Sequence, residues 1–160
     1  MVVTGAGGQV GALLARQATL RGFDVRALTR ADLDITDGKA VRQEIGRGDL
    51  VVNCAAFTNV DGAESDPEGA YLLNVVGPRN LAQACAGVDA RLVHLSTDYV
   101  FDGKFEGGSP RPYEIDDATA PLGEYARSKH KGELAILGTA AAATIVRTSL
   151  VYTGGAGTDF

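Results

Sequence analysis

The run Gly5-Ala6-Gly7-Gly8-Gln9-Val10-Gly11 follows the apolar stretch Met1-Val2-Val3-Thr4 directly and leads into a helical pattern from Gln9 to about Arg21. Glycines spaced three apart between a strand and a helix leave few folds open. One lets the chain turn tightly, one lets a backbone come close to a pyrophosphate, and one lets the helix pack against the strand. The helix start then offers free N–H groups and the positive end of its dipole to anions. A glycine run alone also fits an ordinary tight turn in a chain with 21 glycines among 160 residues. The strand before it and the helix after it favour a dinucleotide cradle.

The same alternation of strand and helix recurs along the rest of the chain. Strands are expected at Asp24 to Thr29, Asp49 to Cys54, Leu92 to Leu95 and Ala143 to Val146. Helices are expected at Asp37 to Arg47, from the Ser65-Asp66-Pro67-Glu68 start to about Ala86, and from Pro121 to about Leu137. Serine or aspartate before a proline and an acid is a helix-start signal. Pro78 lies inside the long helix and removes the bond its N–H would give to the carbonyl of Asn74, so a kink or a freed polar group is expected there. A long loop separates the fourth strand from Pro121. Strand–helix alternation of this kind predicts an α/β fold: a Rossmann-like, doubly wound parallel sheet forming one NAD(P)-binding domain over residues 1–160.

Composition narrows the function classes. A net charge of −5 with no basic stripe argues against nucleic acid as a partner. No apolar segment is long enough to span a bilayer and no leader pattern opens the chain, so a cytoplasmic protein with no membrane partner is expected. Cys54 and Cys85 sit in apolar surroundings without metal-ligand spacing, which predicts free thiols and no metal site.

Chemistry-bearing residues gather at two places. The fourth strand runs into Ser96-Thr97-Asp98-Tyr99-Val100-Phe101-Asp102-Gly103, where hydroxyls, a carboxylate and aromatics stand at a strand's carboxyl end. In open α/β sheets that end faces the ligand crevice. Tyr125 and Lys129 are four apart and share one helix face. An ammonium close to a phenol lowers its pKa, and the expectation is that Lys129 does this to Tyr125. With Thr97 to orient a carbonyl, the set describes carbonyl reduction in which Tyr125 supplies the proton. The same spacings also fit a surface Tyr and Lys, with Lys129 pairing Glu133. At the end of the second strand Arg30 takes the place where an acid usually holds the adenine ribose, which favours NADPH, while Asp32 and Asp34 leave NADH open.

With these motifs in place, the chain resembles the extended short-chain dehydrogenase/reductases, and among them the dTDP-4-dehydrorhamnose reductases. The matching pieces are the glycine turn, Leu33-Asp34-Ile35-Thr36, Asn53-Cys54-Ala55-Ala56-Phe57-Thr58-Asn59-Val60-Asp61, Ser96 to Gly103, Tyr125 to Lys129 with Gly132-Glu133, and Arg147-Thr148-Ser149. The resemblance implies NADPH-dependent reduction of the 4-keto group of dTDP-4-dehydro-L-rhamnose to dTDP-L-rhamnose. It implies Thr97, Tyr125 and Lys129 as catalytic residues. It places Gly5, Gly8, Gln9, Val10, Arg30, Asp34, Ile35, Ala55, Ala56, Thr58 and Lys129 at the cofactor, and Val60, Thr97, Asp98 and Tyr99 at the dTDP-sugar. A homodimer is compatible with it.

Two departures stand out. Leu150 occupies the place where the family often has tryptophan, and family members continue into a C-terminal substrate domain beyond the point reached by Phe160. The expectation is therefore a chain that binds NADPH but turns over dTDP-sugar poorly. The competing functions are a sugar-nucleotide epimerase on the same scaffold and a non-catalytic regulatory subunit similar to that of methionine adenosyltransferase.

Overall fold

The structure, a computed structural model, describes residues 1–105 and 109–152. Five parallel strands, β1 (Val2–Thr4), β2 (Arg26–Leu28), β3 (Leu50–Asn53), β4 (Arg91–Thr97) and β5 (Ala142–Thr148), form one sheet in the order β2-β1-β3-β4-β5. Helix α1 (Gln9–Leu20) packs on β1 and β2, while α2 (Gly38–Glu44), α5 (Gly77–Val88) and α6 (Glu124–Leu137) form a layer of their own. The expected doubly wound parallel sheet is therefore observed. Its order reverses beside β1, between β2 and β3, and this is where such sheets open a crevice.

Cross-strand rows show how the sheet changes from core to site. Val2, Val51 and Leu92 are register partners, are all buried, and join the apolar core with Val41, Leu81 and Ile136 from the helices. Two residues further along each strand, the same face carries Thr4, Asn53 and His94, again in register and all buried. Thr4 Oγ1 donates to Asn53 Oδ1 (2.7 Å), which also accepts from the Ala55 N–H (3.1 Å). The Asn53 amide is left to donate to His94 Nδ1 (2.9 Å). That arrangement puts the histidine proton on Nε2, the only buried side-chain N or O atom without a partner among the described residues.

Between β3 and α5 the chain does not form one continuous helix. A short helix, α3 (Val60–Ser65), precedes the expected start, and the expected long helix is itself divided into α4 (Pro67–Tyr71), a π-helical turn (Leu72–Val76) and α5. The residue that caps α4 is Asp66, whose carboxylate accepts from the Gly69 N–H (2.8 Å). Pro78 explains the π-turn: with no N–H to offer, it leaves the Asn74 carbonyl out of the ladder, and the Gly77 N–H reaches back five residues to Leu72. The freed carbonyl faces Gly132 of α6, where a Cβ would overlap it. Asn74's side chain accepts from the Phe57 N–H (2.9 Å) and donates to the Phe57 carbonyl (3.1 Å) and Ser128 Oγ (2.9 Å).

Other boundaries differ modestly from expectation. β4 and β5 run on to Thr97 and Thr148, because Ser96 and Thr97 pair in register with Arg147 and Thr148. Helix α6 starts at Glu124, three residues after Pro121. Of the long loop before it, residues 106–108 lie outside the described residues. Arg111 clasps Asp117 (2.6 Å) within that loop, and Phe101 stacks on Tyr113 at 4.1 Å. Both cysteines are free thiols, as expected.

Candidate active site

The glycines of the first turn do different work. Gly5 has φ +69°, and a Cβ there would come within 2.5 Å of the Ala55 backbone nitrogen at the end of β3. At Gly11 a side chain would strike the Gly5 carbonyl, so this glycine sets helix against turn. Gly7 and Gly8 are exposed, and a Cβ at either would meet nothing closer than ordinary contact. Gly8 is the N-cap of α1, which receives no side-chain cap, whereas Asp37, Asn59 and Asp66 cap α2, α3 and α4 with their own oxygens. The start of α1, Gly8 to Gly11, borders open space instead of a capping carboxylate.

That space is a cavity of about 750 Å³ at the sheet's switch point. It brings together Gly5, Gly8, Gln9, Val10, Arg30, Asp34, Ile35, Ala55, Ala56 and Thr58, ten of the eleven residues expected to hold a nucleotide. The eleventh, Lys129, does not line it. Leu33, Cys54, Leu73 and the run Ser149-Leu150-Val151 also line it, without having been assigned to a nucleotide from the motifs. Their common signal is position: each stands at or just beyond the carboxyl end of a strand or on the helix facing it. Arg30 is exposed at the cavity wall. The nearby acids serve local turns instead. Asp34 accepts from the Thr36 N–H (2.9 Å) and hydroxyl (2.8 Å), and Asp32 does the same for Thr29 (2.9 and 2.7 Å), which holds both carboxyls below their usual range.

A second, apolar cavity of about 270 Å³ adjoins the first through Val60, which lines both. Its other walls are Tyr99, Phe101, Leu122, Gly123, Tyr125 and Ala126. Of the four residues expected at a sugar, Val60 and Tyr99 line this cavity, while Thr97 and Asp98 line neither. Thr97 ends β4 and caps the short 3₁₀ turn Asp98–Val100, its oxygen accepting from the Tyr99 N–H (3.2 Å). Its hydroxyl also donates to Asp98 Oδ1 at 3.3 Å and acts on the Tyr125 phenol. Tyr99 meets the Tyr125 ring edge-on, with centroids 5.9 Å apart.

The structure corrects the expected tuning of Tyr125. Burial pushes its pKa up, the Thr97 hydroxyl pulls it partly back, and Tyr99 and Asp98 add to the rise. Lys129 is not among the groups that move it. Its ammonium is 3% exposed and donates to the Leu95 carbonyl at 2.7 Å. Burial lowers the Lys129 pKa to about 8, opposed by the Glu133 carboxylate and by Cys54. The Lys129–Glu133 pairing that the spacing suggested is not formed either. Glu133, 1% exposed, pairs instead with Arg147 of β5 (2.7 Å) and accepts from Ser96 Oγ (2.5 Å). Beside them, His94 is held neutral: burial first, then the Lys129 charge, drives its pKa down to about 3.

A chain with this turn, sheet order and hydroxyl–ammonium cluster has well-characterised likenesses. It is 58% identical over all 160 of its residues to the dTDP-4-dehydrorhamnose reductase of Mycobacterium tuberculosis strain H37Rv, covering 53% of that protein. The crystal structure of a dTDP-4-dehydrorhamnose reductase from Clostridium acetobutylicum superposes with a TM-score of 0.88 at 36% identity, over 96% of this chain and 54% of the other. That of the Bacillus anthracis reductase, in complex with NADP, gives 0.86 at 38% identity over 94% and 53%. The chain thus spans about half the length of the relatives it matches. With residues 1–160 matched throughout by the model of the RmlD substrate binding domain, the chain belongs to that family.

Proposed function

We propose that residues 1–160 form the nucleotide-binding domain of an NADPH-dependent reductase that converts the 4-keto group of dTDP-4-dehydro-L-rhamnose to an alcohol, giving dTDP-L-rhamnose. The observation that carries this is Tyr125 on the wall of an apolar cavity that adjoins the larger one, with the Thr97 hydroxyl acting on its phenol and Lys129 one helical turn on. The larger cavity fits the cofactor. Its floor is a turn that excludes a Cβ at Gly5 and Gly11, a helix N-terminus without a side-chain cap borders it, and Arg30 stands exposed where a 2′-phosphate would need a bidentate donor. With Asp32 and Asp34 engaged in turns, the balance favours NADPH over NADH.

When bound, the nicotinamide supplies the hydride. The chain's residues do the rest. Thr97 orients the substrate carbonyl oxygen, and Tyr125 donates the proton that the developing alkoxide needs. A tyrosine whose pKa is raised by burial keeps its proton near neutrality, which suits a residue that must start as an acid. Lys129 spends one N–H on Leu95 and has two left for ribose hydroxyls. Val60, Tyr99 and the neighbouring apolar wall cover the sugar, and the reductase works in the cytoplasm.

Tyr125→Phe in the protein carrying this chain tests the proposal. The expected result is a fall in NADPH-consuming turnover of the dTDP-4-keto sugar by roughly 10²–10⁴-fold with NADPH affinity unchanged. Retained turnover overturns it, and isomerisation without NADPH consumption would identify an epimerase.

A further inference from the structure

We propose that Glu133 is a positioning residue: one buried carboxylate that ties the strand bearing Thr97 to the helix bearing Tyr125 and Lys129, and that places a negative charge one helical turn from the Lys129 ammonium. The inference rests on the reductase reading for the role of Lys129, while its geometry is independent of any ligand.

The ties are specific. Oε1 accepts from Ser96 Oγ (2.5 Å), the residue before Thr97, and from Arg147 Nε (3.0 Å). Oε2 accepts from Arg147 Nη2 (2.7 Å). Arg147 in turn lies over the Phe101 ring, 5.2 Å from its centroid, and reaches the Ile115 carbonyl at 3.5 Å. Strands β4 and β5 and helix α6 thus converge on a side chain that solvent barely touches, and the loop beyond Tyr99 joins them through Arg147. Gly132, the preceding residue, permits this by letting α6 close onto the Asn74 carbonyl.

A buried ion pair adds little net stability over apolar residues of equal volume, so stability alone does not account for the arrangement. Its charge does other work. Lys129 is almost wholly buried, and burial by itself favours loss of its proton. The titratable groups that act on it are Glu133 from its own helix, Cys54 from the end of β3 and His94 from β4. His94 is neutral, and burial raises the Cys54 thiol to about 11, so near neutrality neither carries charge. On the α3 side, Glu64 is engaged with the Glu124 N–H (2.7 Å) at the head of the helix. Among these groups Glu133, one turn along α6, is the negative charge left to favour the ammonium.

The test is the titration of Lys129 itself, followed by NMR of the ¹³Cε resonances in the lysine-labelled chain, with Lys129→Arg to assign the signal. Removing a nearby negative charge must lower the lysine midpoint. Glu133→Gln keeps the hydrogen-bonding shape and is expected to shift the midpoint down by about one pH unit. Arg147→Gln removes the opposing positive charge and is expected to shift it up. An unmoved midpoint in either folded variant, or shifts in the same direction in both, would overturn the proposal, since a purely structural role predicts no sign reversal. The measurement needs no substrate, so loss or retention of turnover in Tyr125→Phe bears on the reductase reading alone.

Discussion

The two walls of the candidate site are made of opposite materials. Around the first turn the wall is backbone: Gly5 against Ala55, Gly11 against the Gly5 carbonyl, and an uncapped helix start. Around α6 the lining side chains are backed by buried, ionisable ones: Lys129, Glu133 and His94, each 3% exposed or less. The first wall holds its shape by steric exclusion and is indifferent to pH. The second holds its shape through charges and hydrogen bonds that pH can change. Mutation should therefore damage the first wall at every pH and the second in a window.

Gly5→Ala is the strongest way to break the backbone wall. It combines a positive φ with a Cβ 2.5 Å from the Ala55 nitrogen, and is expected to cost about 3–5 kcal/mol. Urea denaturation should show the loss equally at pH 6 and pH 8. A cost below about 1 kcal/mol, or one confined to a single pH, would remove the distinction between the walls.

His94→Gln probes the side-chain wall. The folded His94 pKa of about 3 lies below its ordinary value of 6.5, so the unfolded chain takes up the proton first as pH falls. Its contribution is present above pH 6.5 and is lost between 6.5 and 3, at up to about 1.4 kcal/mol per pH unit. Stability of the glutamine variant should therefore decline less steeply over that window. Parallel stability–pH curves would show that this wall is not charge-controlled.

The smallest effect sharpens the comparison at the cavity rim, where Arg30 adds one exposed charge to the backbone wall. Arg30→Gln is expected to weaken NADPH binding about tenfold in fluorescence titrations and to leave NADH binding unchanged. Equal losses for both nucleotides would place the arginine away from the 2′-phosphate.

The same contrast explains what could be read from the sequence. The backbone wall was legible because glycine spacing translates directly into steric permission, and its ten expected residues do meet at one cavity. Tyr125 and Thr97 were legible as a pair because a helical position and a strand end both face the crevice. The short helix α3 was not: Val60–Ser65 has no apolar stripe, and its one signal is the Asn59 cap on the Gly62 N–H. Nor could spacing foresee that Glu133 would bond Arg147, fourteen residues on, instead of Lys129, one turn away. That choice is made by β5 lying alongside β4, a fact of topology. The direction of the Tyr125 shift was missed for a similar reason, because burial is decided by the whole fold.

The π-turn at Leu72–Val76 has a consequence for phase. Each residue of an α-helix turns the chain by about 100°, so the extra residue held in a five-residue step delays everything after it by that angle. Within the turn, Asn74 can address Phe57 and Ser128, while downstream Leu81 and Cys85 still meet the core. The turn works as a phase shifter between a polar bracket and an apolar face. Deleting a single residue between Leu72 and Val76 would bring the two into one register, and one of them would then have to point the wrong way.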